Sequence, residues 1–147
     1  MARYIVDASV VVQYAITQIH TIPIRTLIAR LYQGIDQLII PEFCLLECTN
    51  VLWKEVRFQG LPADQADALV KELLTLKFQV VPTRHLLSQA LQIGLTCQLA
   101  IYDSLYIALA LEQGCDLITV DIRQQAGAIA SGVSLKPITD FLSENSS

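Results

Sequence analysis

The chain has 147 residues, the length of one domain, with 53% hydrophobic and only 16% charged side chains. That balance, with six glycines and five prolines, excludes a collagen-like, low-complexity or disordered chain. The formal net charge of −4 argues against a basic protein that coats nucleic acid through a cationic footprint. In chain order, Arg3–Val6 is the first short run of buried-strand type. Ile24, Leu27, Ile28 and Leu31 repeat at helical spacing before a second strand at Leu38–Ile40. Two helices follow, one carrying Leu45, Cys48, Leu52 and Val56, the other Ala66, Leu69, Val70 and Leu73. The link Gly60-Leu61-Pro62 separates them, and Phe78–Val81 is the third strand. A second helix pair is predicted around Leu86–Ile93 and Leu105–Glu112, then strands at Asp116–Val120 and Val133–Leu135. Strands that are apolar throughout and alternate with helices imply parallel pairing with helices on both faces. The expected fold is a single three-layer α/β/α domain over residues 1–142, with 143–147 a short polar C-terminal tail.

Asp7 breaks the first apolar run, so no secretory signal is expected, and no uncharged stretch is long enough to span a membrane. Cys44, Cys48, Cys97 and Cys115 lie in apolar surroundings and fit reduced core thiols, hence a cytoplasmic location. A zinc site at Cys44 and Cys48 would need two more ligands, and His20 and His85 are isolated. An apolar chain so poor in charge is expected to cover part of its surface with a partner.

Most of the 14 acids fall on polar faces, and Asp36 and Asp116 fall where turn chemistry suffices. Four do not. Asp7 closes Tyr4-Ile5-Val6, and Asp121 closes Leu117-Ile118-Thr119-Val120, so both sit at carboxyl ends of predicted strands, the edge where open α/β sheets place their sites. Glu47 lies among Leu45, Leu46 and Cys48, and Asp103 interrupts an apolar run in the first turn of a helix. Capping could explain Asp103 but not Glu47. Four converging acids would repel unless a divalent cation joined them, and oxygen ligands select Mg²⁺ or Mn²⁺. Phosphodiester hydrolysis is the reaction such a site performs best.

With Val6-Asp7-Ala8-Ser9, Glu47 within Leu46–Leu52, Asp103 within Tyr102–Ala110, and Leu117–Asp121, the sequence resembles the PIN-domain ribonucleases, specifically VapC-type toxins of toxin–antitoxin pairs. The likeness spans nearly the whole chain. It implies a five-stranded parallel sheet of order 3-2-1-4-5 and a metal-dependent endoribonuclease that hydrolyses RNA. It also implies Asp7, Glu47, Asp103 and Asp121 as catalytic, metal-binding acids, with Ser9 supporting the first. A homodimer and an antitoxin partner follow from the same likeness. Val120 and the segment Ile122–Gln125 depart from the family's usual pattern, which leaves a site of three acids open.

Other readings compete. A dehalogenase-type phosphatase would need an acid where Ser9 stands, and a response-regulator receiver, suggested by Lys136-Pro137, would need an Asp where the third strand runs into Pro82. A PIN fold kept as a binding or regulatory module, with little or no nuclease activity, is the main alternative. Lys54, Arg57, Arg84, Arg123 and Lys136 are candidate phosphate contacts. Trp53 and Phe58 could stack on bases, but Trp53–Pro62 is expected to face an antitoxin or a second subunit.

Overall fold

The computed structural model describes residues 1–142; the tail expected at 143–147 lies outside them. Its elements are β1 (Ala2–Val6), α1 (Ala8–Ala15), α2 (Thr21–Tyr32), β2 (Asp36–Pro41), α3 (Cys44–Gln59) and α4 (Ala63–Thr75). Then come β3 (Gln79–Val81), α5 (Leu87–Cys97), α6 (Ile101–Gln113), β4 (Asp116–Ile118) and α7 (Ile122–Ala130), with 3₁₀ turns at Arg84–Leu86 and Ile138–Phe141. All pairings are parallel, in the order β3-β2-β1-β4, so β1 is flanked by β2 (Tyr4 opposite Leu38) and β4 (Val6 opposite Ile118). Ile5, Leu38, Ile39, Ile40 and Leu117 are fully buried, as the apolar strands require.

The fifth strand expected at Val133–Leu135 is reduced to one parallel bridge, Leu117 to Leu135. It does lie beside β4, through bonds from Leu117 N to the Ser134 carbonyl and from Lys136 N to the Leu117 carbonyl, each 3.0 Å. Gly132, at φ +84°, turns the chain immediately before it, and Pro137, one residue beyond Lys136, offers no amide. Too few residues remain for a ladder.

Two helices were not predicted. The run Val10-Val11-Val12 favours a strand by propensity, yet it forms α1 because the Asp7 carboxylate caps the helix and its apolar side chains are buried. The second, α7, is rich in alanine, glycine and glutamine, so its periodicity is faint. Its small residues allow close packing: a Cβ on Gly127 would stand 2.4 Å from Leu99 Cδ1. Asp36, expected to serve a turn, is instead buried at the start of β2 and paired with Arg30 (Nε to Oδ2, 2.6 Å).

The helix α6 crosses β1, β2 and β4, and every residue from Ser104 to Ala110 is buried. A helix buried all round takes its position from its neighbours. It packs most extensively on α5, where a Cβ on Gly94 would stand 2.8 Å from the Leu99 carbonyl oxygen. Backbone cannot yield as a side chain tip can. Gly94→Ala is therefore expected to destabilise the fold by about 1–3 kcal/mol despite alanine's better helix propensity, which a urea unfolding curve would measure. Cys44 and Cys48 are buried core thiols, as expected, whereas Cys97 and Cys115 are only partly buried against the core. Among the described residues no single helix is long and apolar enough to cross a membrane.

Candidate active site

The central position of β1 decides the site. Because β4 runs parallel beside it, Asp7 N bonds the Ile118 carbonyl (3.0 Å), and the chain leaves both strands at the same carboxyl edge. Asp7 is 5% exposed. Its Oδ2 accepts from the Ser9 amide (3.1 Å) and the Thr119 hydroxyl (3.2 Å), and its Oδ1 from Gln124 Nε2 (3.4 Å). The Ser9 hydroxyl joins the same network, 3.3 Å from Thr119 Oγ1 and accepting from the Val120 amide at 3.3 Å. Ser9 thus touches the first acid through its amide, while its hydroxyl reaches Thr119.

Asp121 follows β4 and caps α7: its Oδ1 accepts from the amides of Arg123 (2.9 Å) and Gln124 (3.1 Å). Its own amide donates to Thr119 Oγ1 (3.1 Å), so one threonine hydroxyl links the first acid to the last. Glu47, in the first turn of α3, accepts from the Tyr106 hydroxyl at 2.8 Å. Asp103 lies in the first turn of α6 but does not cap it, since Ala100 holds that position. Among the described residues its carboxylate meets no hydrogen-bond donor and no salt-bridge partner.

All four acids, from four separate stretches of chain, line one cavity of about 620 Å³, along with Ser9 and Tyr102. Burial, and then crowding, shows in the protonation of three of them. Burial raises the Asp7 carboxyl above its usual range, against the pull of its hydrogen bonds. Burial also raises Glu47 to about 7, with further repulsion from Asp7 and Asp103 that the Tyr106 bond partly offsets. Asp103 rises to about 6 through burial and the charges of Asp7 and Asp121, with Arg123 opposing. The donor set, four carboxylates with one left unpartnered, suits a hard divalent cation. Among the described residues, however, no three histidine, cysteine or acidic side chains converge closely enough to hold an ion as they stand. The oxygens of Asp7, Glu47 and Asp121 are drawn instead towards protein donors.

A family model described as the PIN domain matches residues 4–129, a span that contains all four acids. The chain belongs to the PIN domain family. This PIN domain is similar to the crystal structure of PAE2754 from Pyrobaculum aerophilum, at 25% identity, TM-score 0.73, over 96% of this chain and 87% of that one. It is also similar to FitAcB from Neisseria gonorrhoeae (14% identity, TM-score 0.65, 90% and 95% of the two chains). A third is VapBC2 from Rickettsia felis bound to a DNA fragment from its promoter (13% identity, TM-score 0.65, 92% and 98%). At such identities the last two carry the fold alone. Comparison with curated protein sequences finds no match.

Three residues around the four acids are not singled out by the sequence. Thr119 gave a signal, a polar side chain between Ile118 and Val120 that burial obliges to find a partner. Tyr106 gave a fainter one, a phenol in an apolar helix. Gln124 gave none; it is fully buried, and its Nε2 bonds both Asp7 and the Asp103 carbonyl (3.2 Å). Tyr106→Phe keeps the ring against Phe43 (centroids 5.4 Å apart) but removes the Glu47 donor. The expected result is a Glu47 carboxyl raised further and Mn²⁺ binding weakened about tenfold at neutral pH, read by calorimetric titration.

Proposed function

We propose that this PIN domain is a metal-dependent endoribonuclease acting in the cytoplasm as the toxin of a toxin–antitoxin pair. The observation that carries this reading is the gathering of Asp7, Glu47, Asp103 and Asp121 around one cavity by the parallel β1–β4 edge and two helix starts. Asp7, Glu47 and Asp103 would hold one Mg²⁺ or Mn²⁺, with Asp121 completing a second, weaker position. A divalent ion held there lowers the pKa of water and stabilises charge that develops on phosphoryl and leaving oxygens. The chain's own residues supply preorganisation. Ser9, Thr119 and Gln124 fix both oxygens of Asp7, and Tyr106 fixes one oxygen of Glu47. Hydrolysis adds water across the P–O3′ bond and leaves 5′-phosphate and 3′-hydroxyl ends.

A partner protein is supported by the solved neighbours named as pairs, FitAcB and VapBC2. We place an antitoxin among the partners on that basis, and a second copy of this chain on the exposed apolar side chains such as Leu46, Leu74 and Leu95. A second reading, a binding module with little or no nuclease activity, draws on the acids' failure to converge. Incubation with a panel of structured RNAs in Mn²⁺ decides between them. Cleavage that EDTA abolishes supports the nuclease; an intact panel, with the parent chain folded and metal-loaded, sinks it.

A further inference from the structure

The helix that carries Glu47 continues past the acids with different chemistry on the same side. Residues three, four and seven positions on share one helical face, so Asn50, Val51 and Lys54 line the cavity with Glu47. Lys54 stands about 10 Å along the axis from Glu47, at 1.5 Å per residue. It shares a cavity with four carboxylates, yet among the described residues it forms no salt bridge and no hydrogen bond. A lysine that pairs with none of the acids around it is available to an anion from outside.

Around it stand exposed rings. Trp53 and Phe58 are 56% and 65% exposed and meet edge to face at 6.1 Å, with the Arg57 guanidinium 5.6 Å above Phe58. Across the cavity, Tyr102 lines the wall and is 55% exposed. Residues 50–59 carry Lys54 and Arg57 against Glu55, a net +1 in a chain of −4. The next helix, α4, carries Asp64, Asp67 and Glu72 against Lys71, a net −2. Cations and exposed rings therefore coincide next to the acids. That combination holds an unpaired nucleic-acid strand, phosphates on the cations and bases on the rings.

We propose that the outer face of α3, from Trp53 to Phe58, carries the substrate strand away from the acids. Lys54 holds a backbone phosphate, and Trp53 and Phe58 receive unpaired bases. This rests on the nuclease reading above and adds the path of the substrate to it. An apolar protein segment laid on the same rings would offer Lys54 no hydrogen-bonding partner of its own, whereas a strand brings a phosphate to it.

The test is fluorescence anisotropy with a labelled single-stranded oligoribonucleotide and Mg²⁺, in an Asp7→Asn background so that the strand stays intact. Lys54→Met is expected to weaken binding and to lower the slope of log affinity against log salt by about 0.7, with Lys54→Arg restoring it. Trp53→Ala and Phe58→Ala are each expected to weaken binding about tenfold. Lys77→Met, whose ammonium lies over Tyr32, changes nothing. Exposed side chains can be cut back without unfolding the chain, which thermal melts of each variant verify. Unchanged affinities and slope, or no binding at all, overturn the proposed path; RNA cleavage by the parent chain would still stand as a separate result. Ring variants that alter the sedimentation of the parent chain but not its RNA affinity assign the face to a protein interface and overturn the proposal equally.

Discussion

Asp7→Asn is expected to lower RNA cleavage by roughly a thousandfold while the chain keeps its fold. The substitution removes one charge and no volume. Asparagine still accepts from the Ser9 amide and the Thr119 hydroxyl through its remaining oxygen. The new amide group meets Gln124, where two donors would face each other. Among the described residues Gln124 Oε1 is buried without a hydrogen-bond partner, so turning that amide over lets it accept from residue 7, at the cost of the bond to the Asp103 carbonyl. Because Asp7 is a buried acid whose carboxyl is raised by desolvation, its loss is also expected to leave the metal-free chain as stable as the parent, or more so, at pH 7.5. Urea unfolding beside the cleavage assay separates the two effects. Full cleavage by the folded variant removes Asp7 from the mechanism.

The second large effect is on stability against pH. Burial lifts Glu47 from 4.5 to about 7 and Asp103 from 3.8 to about 6 in the folded chain. A raised acid means that the unfolded chain gives up its proton first, so the stability is complete at low pH and is lost as pH rises towards the folded value. The metal-free protein is therefore expected to lose roughly 2 kcal/mol between about pH 4 and pH 7, after allowance for solvent screening. This is the reverse of ordinary acid denaturation. A divalent cation at 100 times its dissociation constant would add about 2.7 kcal/mol at pH 7.5 and much less at pH 5, where protons compete for the same carboxylates. Unfolding curves in EDTA and in Mg²⁺ at the two pH values measure both. A metal-free stability that climbs from pH 5 to pH 7.5, or one that Mg²⁺ leaves untouched at pH 7.5, contradicts the metal reading.

Which parts of this were legible beforehand follows from the range of each interaction. The apolar runs at β1 and β2 announce buried parallel strands, because a strand covered on both faces needs apolar side chains at every position. Helix spacing in α3 to α6 is equally plain. The first helix, α1, was hidden, since three consecutive valines favour a strand and it took the Asp7 cap and core packing to overrule them. The last helix, α7, was hidden for the opposite reason: its contacts use small residues that leave no periodic trace. The expected fifth strand is reduced to a bridge: β-propensity says nothing of how few residues, only four, lie between Gly132 and Pro137, which has no amide to pair.

Length, composition and charge bounded the protein to one apolar, slightly acidic domain, and the placement of four acids in apolar company marked the site. That much depends on local burial cost, which a sequence displays. Tertiary structure decided the rest. It made Asp121 a helix cap, left Asp103 without a donor among the described residues, and assigned Thr119, Tyr106 and Gln124 to hold the other acids. It also distributed the −4: negative charge is concentrated in the cavity, while the adjoining stretch of α3 is positive. These facts rest on pairs such as Asp7 and Gln124, 117 positions apart, and no local pattern encodes a partner so distant along the chain.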